Sequence, residues 1–401
     1  MAYQTHMDSS MVDDSAPLSD TNGIELPPDI LVLHLIATGV IQLTDRITKG
    51  IPIDSQYPAP LQIGLNRLNV IRYRHSLHLV RSIPDLLSWC RRPLREWPLD
   101  IALAHLDPDE TLLDNQFPTN VCESLACATS DVEADLSERR FMSSVFNTCQ
   151  AANSPGTYVT FRRLLIEHPV LTEFELLQKR NDHPELNLLT DHLKVAYEDA
   201  PPDYMLKDHF HCCPTCGNLQ QPTVQMDRLL CEEERCRRQL PIRPGRAIPV
   251  REHVLWLKRG LRRFVTLPGL AEIRLERRLL KLKLKVALWP EFDSYDLHIE
   301  FPDGKAWAVD VKDWANPFLL ALHVKNIPLN PPLEMGYFVF PDERSRQHDY
   351  VRAFRNTCNS RKSSGKVVIG GRIQAKFERH FLADVKKRLA TCKGVNDAQH
   401  T

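Results

Sequence analysis

The spacing of hydrophobic residues predicts helices in the first half of the chain. Apolar residues recur at intervals of three and four in SIPDLLSWCRRPLREW and TYVTFRRLLIEHPVLTEFELLQKR, which is typical of amphipathic helices. Prolines and Asp/Asn-rich stretches such as HLDPDETLLDNQFPTN separate these segments. No glycine loop for nucleotides and no internal repeat stands out. We therefore predict a mostly helical domain over residues 27–205 that acts as a scaffold or binds a partner.

In the second half the pattern changes to one helix followed by short strands. TLPGLAEIRLERRLLKLKL has the spacing of a helix, with Thr266 as a candidate N-cap. KVALWP, YDLHIEF and AWAVDVKDW follow as three successive candidate strands. This order of elements predicts a domain of mixed α/β type over residues 248–389.

The turn between the last two strands fixes their pairing. FPDGK places Pro, Asp and then Gly between the strands, which favours a three-residue hairpin loop with a glycine bulge. In that register Asp296 lies opposite Asp310, and Lys312 shares their face because side chains alternate along a strand. Carboxylates of cross-strand partners, roughly 5 Å apart at Cβ, repel each other unless a cation or a proton lies between them. Asp293 and Glu300 are the alternative acids that could join Asp310 in such a site.

The composition is typical of a globular protein, and one stretch of the chain is strongly basic. The chain has 401 residues and 43% hydrophobic content, enough for two or three globular domains. Formal net charge is zero, but residues 251–285 contain eleven Lys and Arg against three Glu. That stretch is either a solvated helix face or a surface for a phosphate backbone.

Both ends of the chain and its apolar runs suggest a cytoplasmic protein. Residues 1–26 are mildly acidic and lack an apolar pattern, so we expect a disordered arm, and residues 390–401 a flexible tail. There is no secretory signal, and the longest apolar runs are too short to span a bilayer. We therefore expect no membrane association.

Five of the eleven cysteines fall between Cys212 and Cys236. Two close pairs, Cys213 with Cys216 and Cys231 with Cys236, flank a fourteen-residue gap. This spacing is typical of structural Zn²⁺ held by four thiolates, and it predicts a zinc ribbon over residues 206–247. The neighbours His211 and Cys212 leave alternative ligands open.

The second half of the chain resembles the PD-(D/E)xK restriction-endonuclease-like nucleases. The resemblance lies in a helix with Glu272, a strand with Asp296, a hairpin and the sequence Asp310-x-Lys312. Tyr295 precedes Asp296 where that motif has Pro. The runs PGLAEIRLERRL and ALWPEFDSYDLHIEFPDGKAWAVDVKDWANP, with CPTCG upstream, look like the restriction-endonuclease-like proteins encoded beside prokaryotic PIWI-type (pPIWI-RE) proteins. The resemblance implies a mixed sheet flanked by helices.

That resemblance also implies a function. The resemblance implies a Mg²⁺-dependent endonuclease that cleaves DNA and acts with a PIWI-type protein and a helicase in defence against phages or plasmids. Asp296 and Asp310 would hold Mg²⁺, Lys312 would act on the attacking water, and Glu272 would reach the site directly or through water. The alternative from another class is a non-catalytic zinc-ribbon subunit that binds nucleic acid or a partner, in which the strand acids form structural ion pairs.

Overall fold

A computed structural model describes ten parts of the chain: residues 28–48, 57–101, 106–128, 132–223, 228–237, 245–314, 316–329, 332–347, 349–360 and 367–398. The predicted arm over residues 1–26 lies outside these ranges. None of the helices in the described ranges combines the length and the apolar character that a bilayer crossing requires.

Helices dominate the first half, as the apolar spacing predicts. They are α1 Pro28–Thr48, α2 Ala59–Arg74, α3 Ile83–Cys90, α4 Asn120–Ala128, α5 Val132–Ala151, α6 Pro155–Glu167, α7 Glu173–Asp182 and α8 Thr190–Ala196. Four short strands, which the spacing does not predict, lie among them: β1 Leu113–Asp114, β2 Phe117–Pro118, β3 Val170–Thr172 and β4 Tyr197–Asp199. The long periodic segment is divided between α6 and α7 because Pro169 lacks an N–H and disfavours a helical residue before it.

The middle of the chain is built of short strands around the cysteines. Its elements are β5 Met205–Leu206, β6 His209–His211, β7 Gln220–Pro222, β8 Leu229–Cys231, α9 Glu234–Arg237, β9 Ala247–Pro249 and β10 Val254–Leu257. Strand β10 lies between β3 and β4 and pairs antiparallel with both. This small sheet therefore joins the middle of the chain to the helical half.

The last third forms a five-stranded mixed sheet with helices. Its elements are α10 Arg259–Leu261, α11 Leu267–Leu280, β11 Lys285–Leu288, a single turn α12 Pro290–Asp293, β12 Leu297–Glu300, β13 Ala306–Val311, α13 Pro317–His323, β14 Leu333–Phe340, α14 Tyr350–Ser360, β15 Ile373–Phe377 and α15 Glu378–Ala398. The strand order is β11-β12-β13-β14-β15. The first three strands are antiparallel, and β13, β14 and β15 are parallel. Residues 390–398, expected in a flexible tail, continue the last helix.

The start of α11 differs from its prediction. A π-helical turn, Arg262–Thr266, leads directly into the helix, and Thr266 has helical dihedral angles. Its side chain does not cap the helix; instead its hydroxyl donates to the carbonyl oxygen of Leu165 at 2.9 Å. Thr266 thus ties α11 to α6 of the helical half.

The predicted register of the β12–β13 hairpin is confirmed. Leu297 pairs with Val309 and Ile299 with Trp307, and these side chains are buried on one face of the sheet. Gly304 has φ of +78°, the left-handed conformation that glycine adopts without steric cost. The loop chemistry therefore sets which residues share the other face.

Helices α1 and α2 pack closely at a glycine. A Cβ added to Gly39 would lie 2.5 Å from the backbone nitrogen of Leu61, and backbone atoms cannot move aside cheaply. We expect Gly39→Ala to lower the free energy of unfolding by about 1–3 kcal/mol. Gly156, in α6, has open space at its Cβ position. Gly156→Ala is the matched control and should be neutral or stabilising by up to about 1 kcal/mol. Denaturant unfolding of both variants measures the difference, and equal midpoints would contradict the close packing.

Candidate active site and metal centre

The hairpin brings two aspartates and a lysine together at the end of its strands. The backbone N–H of Asp296 donates to the carbonyl of Val309 at 3.0 Å, which holds Asp296 against β13. Lys312 Nζ lies 2.6 Å from Asp310 Oδ1 and 3.8 Å from Asp296 Oδ2. The N–H of Val311 donates to Asp296 Oδ2 at 2.6 Å. These three predicted site residues are therefore in contact.

The electrostatics of these residues reflect burial and crowding. Burial raises the pKa of Asp310 to about 7; Lys312 opposes this rise, and the Asp296 carboxylate adds to it. Burial alone would lower the pKa of Lys312, but the carboxylates of Asp310 and Asp296 outweigh it and raise that pKa. Two carboxylates this close favour a cation between them.

Glu272, the predicted helix acid, lies beside this group on α11 and is almost fully buried. Trp289 Nε1 donates to its Oε2 at 2.5 Å, and Arg162 Nη2 donates to its two oxygens at 3.1 and 3.2 Å. Burial raises the pKa of Glu272 to about 8; Arg162 opposes this rise, and Asp296 adds to it. Arg162, from α6 of the helical half, is a site residue that the sequence reasoning missed.

Arg162 also joins Asp293 to the site. Its Nη1 donates to Asp293 Oδ2, and its guanidinium lies over the ring of Trp289 at 4.6 Å from the centroid. Asp293, which the sequence offered as an alternative acid of the site, thus pairs with the Arg162 guanidinium, as Glu272 does. Burial raises the pKa of Asp293 as well, against the lowering effect of Arg162.

A left-handed turn places Asp293. Four of the five residues in 289–293 have φ between +48° and +72°, which is costly for residues other than glycine. Contacts from the helical half hold the turn: Phe292 packs edge-on against Phe146 and Tyr158, and the Tyr158 hydroxyl donates to Asp293 at 3.2 Å. Strain of this kind is concentrated at functional sites.

A cleft of about 570 Å³ opens onto these residues. Its walls come from three parts of the chain: Arg162 from the helical half, Arg235 from the cysteine segment, and the strand residues Asp296, Asp310 and Lys312. The acids therefore face a concave space rather than the hydrophobic core.

The predicted cysteine cluster forms. The sulfur atoms of Cys213, Cys216, Cys231 and Cys236 are buried and lie within 4.8 Å of one another, as a tetrahedral shell of thiolates requires. The N–H of Glu233 donates to the sulfur of Cys231 at 3.4 Å, which favours the thiolate. The cluster can hold a metal ion such as zinc.

The neighbouring candidates lie outside the cluster. Within the described residues the group with ligand geometry contains neither His211 nor Cys212. Cys212 instead forms a β-bridge with Leu219, and burial raises the pKa of its thiol to about 12. Gly217 takes φ of +77°, which allows the tight turn after Cys216 that a chelating loop needs.

The cysteine segment contacts the residue that follows Lys312. Arg235, in α9 beside Cys236, donates to Asp313 Oδ2, and Arg344 Nε donates to Asp313 Oδ1 at 2.9 Å. Asp313 follows Lys312 in the chain and is almost completely buried within this pair of arginines. The cysteine segment and the candidate active site are therefore linked by ion pairs at Asp313.

The basic stretch over residues 251–285 is largely neutralised by acids from other elements. Seven of its eleven cations form ion pairs with glutamates: Arg259, Arg262, Arg263, Arg274, Arg277, Arg278 and Lys285. Much of the local positive charge thus serves contacts within the protein, which weakens the interpretation of this stretch as a phosphate-binding surface.

Three other polar residues of the strand region have structural partners. Glu300 pairs with Lys285 at 2.9 Å on the exposed edge, away from the aspartates. His298 Nδ1 is 2.9 Å from the Tyr295 hydroxyl. Asn316 caps α13, accepting from the N–H groups of Phe318 and Leu319.

Two family models match the chain. The model described as "REase associating with pPIWI_RE" matches residues 269–391, which contain all four predicted catalytic residues. The model described as "pPIWI_RE three-gene island domain Y" matches residues 32–172, which contain Arg162. Neither the curated proteins nor the solved structures gave a match. The chain therefore carries a restriction-endonuclease-like domain of the kind associated with pPIWI_RE systems, preceded by a segment of the domain Y type.

Proposed function

We propose that the chain is a metal-dependent endonuclease that hydrolyses DNA phosphodiester bonds, with its PD-(D/E)xK nuclease domain over residues 248–389. One observation carries the proposal. Lys312 contacts the carboxylates of both Asp296 and Asp310, and all three side chains line one cleft. The pPIWI_RE family matches support action with a PIWI-type protein, and we extend this to a helicase and to defence against phages or plasmids.

The donor set of the site fits Mg²⁺. Carboxylate oxygens of Asp296 and Asp310 are the hard ligands that this ion prefers, and both side chains line the same cleft. When bound there, Mg²⁺ would polarise the phosphodiester and lower the pKa of a water molecule. Asp296 is held in place by the N–H of Val311, so its free oxygen points to a defined position.

Lys312 has a different role from the aspartates. Its ammonium contacts both carboxylates, so it would lie beside a phosphate that a cation on these carboxylates holds. There it would orient the attacking water and stabilise the negative charge that develops on the phosphate. Glu272, which accepts hydrogen bonds from Arg162 and Trp289, lines the same cleft and would reach the site directly or through a water molecule.

We further propose that the four cysteines hold structural Zn²⁺ in a ribbon over residues 206–247. Four thiolates complete a tetrahedral shell and leave no open position for chemistry. The ion would fix α9, and α9 carries the Arg235 that bonds to Asp313. In this arrangement zinc supports catalysis by anchoring the end of the strand that carries Lys312.

Substitutions should separate the roles of Asp310 and Lys312. Asp310→Asn removes a charge that holds the cation, so Mg²⁺ affinity and DNA cleavage should fall together. Lys312→Ala should keep metal binding while cleavage falls by about 100-fold or more, because a preorganised cation at the phosphate is lost. Plasmid cleavage and Mn²⁺ titration of each purified variant measure the two effects, and circular dichroism checks folding.

Two further variants serve as controls for that experiment. Asp296→Asn should reproduce the behaviour of Asp310→Asn, because the two carboxylates face each other. Glu300→Gln, on the exposed edge with Lys285, should cleave like the wild type. Wild-type cleavage by the Asp310 and Lys312 variants would instead support the non-catalytic, nucleic-acid-binding subunit.

Zinc content should follow the four clustered cysteines. Replacing Cys213 and Cys231 together by Ser should abolish the bound zinc, close to one ion per chain in the wild type, and lower the melting temperature because metal-binding energy contributes to folding. Cys212→Ser is the matched control, since this buried neighbour lies outside the cluster. Elemental analysis and thermal melting measure both. An equal zinc content in the double variant and the control would contradict the assignment.

A further inference from the structure

The guanidinium of Arg162 lies inside the candidate nuclease site although it comes from the helical half. It donates to both oxygens of Glu272 and to Asp293, and it lies over the ring of Trp289. Its side chain is only 11% exposed. The distance along the sequence is 110 residues to Glu272 and 131 to Asp293, so only tertiary packing brings them together.

Close packing of two helices brings Arg162 to this position. A Cβ added to Gly269 of α11 would overlap the end of Ile166 of α6, with 2.6 Å to its Cγ1. The hydroxyl of Thr266 bonds to the carbonyl of Leu165 at the same contact. Since α6 approaches α11 this closely, Arg162 reaches Glu272 about one turn beyond Gly269.

The next residue provides a comparison within the same interface. Arg163 bonds to Glu276 at 2.7 Å, also between α6 and α11, but its side chain is 33% exposed. Arg163 lies outside the residues that line the cleft, whereas Arg162 is one of them. Both arginines join the two helices, but only Arg162 touches acids of the candidate site.

Charge balance shows what Arg162 adds. Four of the acids that line the cleft, Glu272, Asp293, Asp296 and Asp310, contact Arg162 or Lys312, and they carry four negative charges when ionised. Lys312 and Arg162 contribute two positive charges, which leaves two negative charges within this group of six side chains. Arg162 lies on Glu272 and Asp293 and leaves one negative charge on that pair, as Lys312 does on Asp296 and Asp310. Without Arg162, Glu272 and Asp293 would carry two negative charges and would compete for the divalent cation.

We propose that Arg162 is a positioning residue of the nuclease site. By occupying Glu272 and Asp293, it confines the divalent cation to Asp296 and Asp310, beside Lys312. The helical half is therefore a part of the active site and not only a partner-binding appendage. This inference rests on the proposed nuclease function for its effect on cleavage, but its effect on cation binding can be tested separately.

The test compares Mn²⁺ binding with DNA cleavage in the full chain. Arg162→Gln removes a positive charge from the site, so Mn²⁺, followed by electron paramagnetic resonance of the free ion, should bind about tenfold more tightly or in additional equivalents. Cleavage should nevertheless fall at least about tenfold, because the ion is no longer confined to its productive position. Arg162→Lys keeps the charge and should restore the wild-type Mn²⁺ affinity.

Arg163→Gln is the matched control for the loss of an interface ion pair. It should lower the melting temperature as Arg162→Gln does, but leave Mn²⁺ affinity and cleavage unchanged.

Asp293→Asn tests the same charge balance with the opposite sign and is informative even if Arg162→Gln fails to fold. It removes a negative charge, so Mn²⁺ should bind several-fold more weakly.

The outcomes distinguish the two proposals. If the wild type binds Mn²⁺ but never cleaves DNA, the nuclease function fails while the comparison of Mn²⁺ affinities still tests Arg162. If Arg162→Gln and Asp293→Asn both bind Mn²⁺ like Arg163→Gln, Arg162 is an interface ion pair only, and the inference is overturned.

Discussion

The burial of one guanidinium constrains how the parts of this protein meet. Removing an arginine from water costs several kcal/mol unless hydrogen-bonded acids compensate it, and Arg162 is compensated by Glu272 and Asp293 together. Both partners depend on other features. Glu272 comes within reach because Gly269 lets α6 approach α11, and Asp293 does so because the turn over 289–293 adopts left-handed dihedral angles. The helix contact, the turn and the acids of the cleft are therefore parts of one arrangement.

Local chemistry made much of the candidate site readable from the sequence. The loop in FPDGK has few favourable conformations, so the register of the hairpin followed from three residues, and the pairing from Leu297 with Val309 to Glu300 with Ala306 confirms it. Alternation along β13 then placed Lys312 beside them. The cysteine pairs were equally local, since chelation by four thiolates requires close spacing within each pair. The alternative ligands His211 and Cys212 could be set aside only from the folded geometry.

What the sequence did not reveal depends on distant partners. Arg162 lies in a segment whose apolar spacing predicts only an amphipathic helix, and nothing near it indicates that its partner is 110 residues away. The turn over 289–293 contains no glycine, so its left-handed backbone has no local signal. The ion pairs of the basic stretch were hidden for the same reason. Its arginines pair with glutamates such as Glu123, Glu167 and Glu378 from other elements, so counting charge along the chain overstated the charge at the surface.

The small sheet in which β10 lies between β3 and β4 has a consequence for anyone who would divide the chain. A fragment that begins at the predicted boundary, residue 248, would keep β10 but lose both neighbours. The strand would then expose two rows of unpaired amides together with Trp256, which is fully buried in the intact chain. Bare edges of this kind recruit other chains and aggregate. Insolubility of an excised nuclease segment would therefore reflect a severed sheet rather than an unstable nuclease fold.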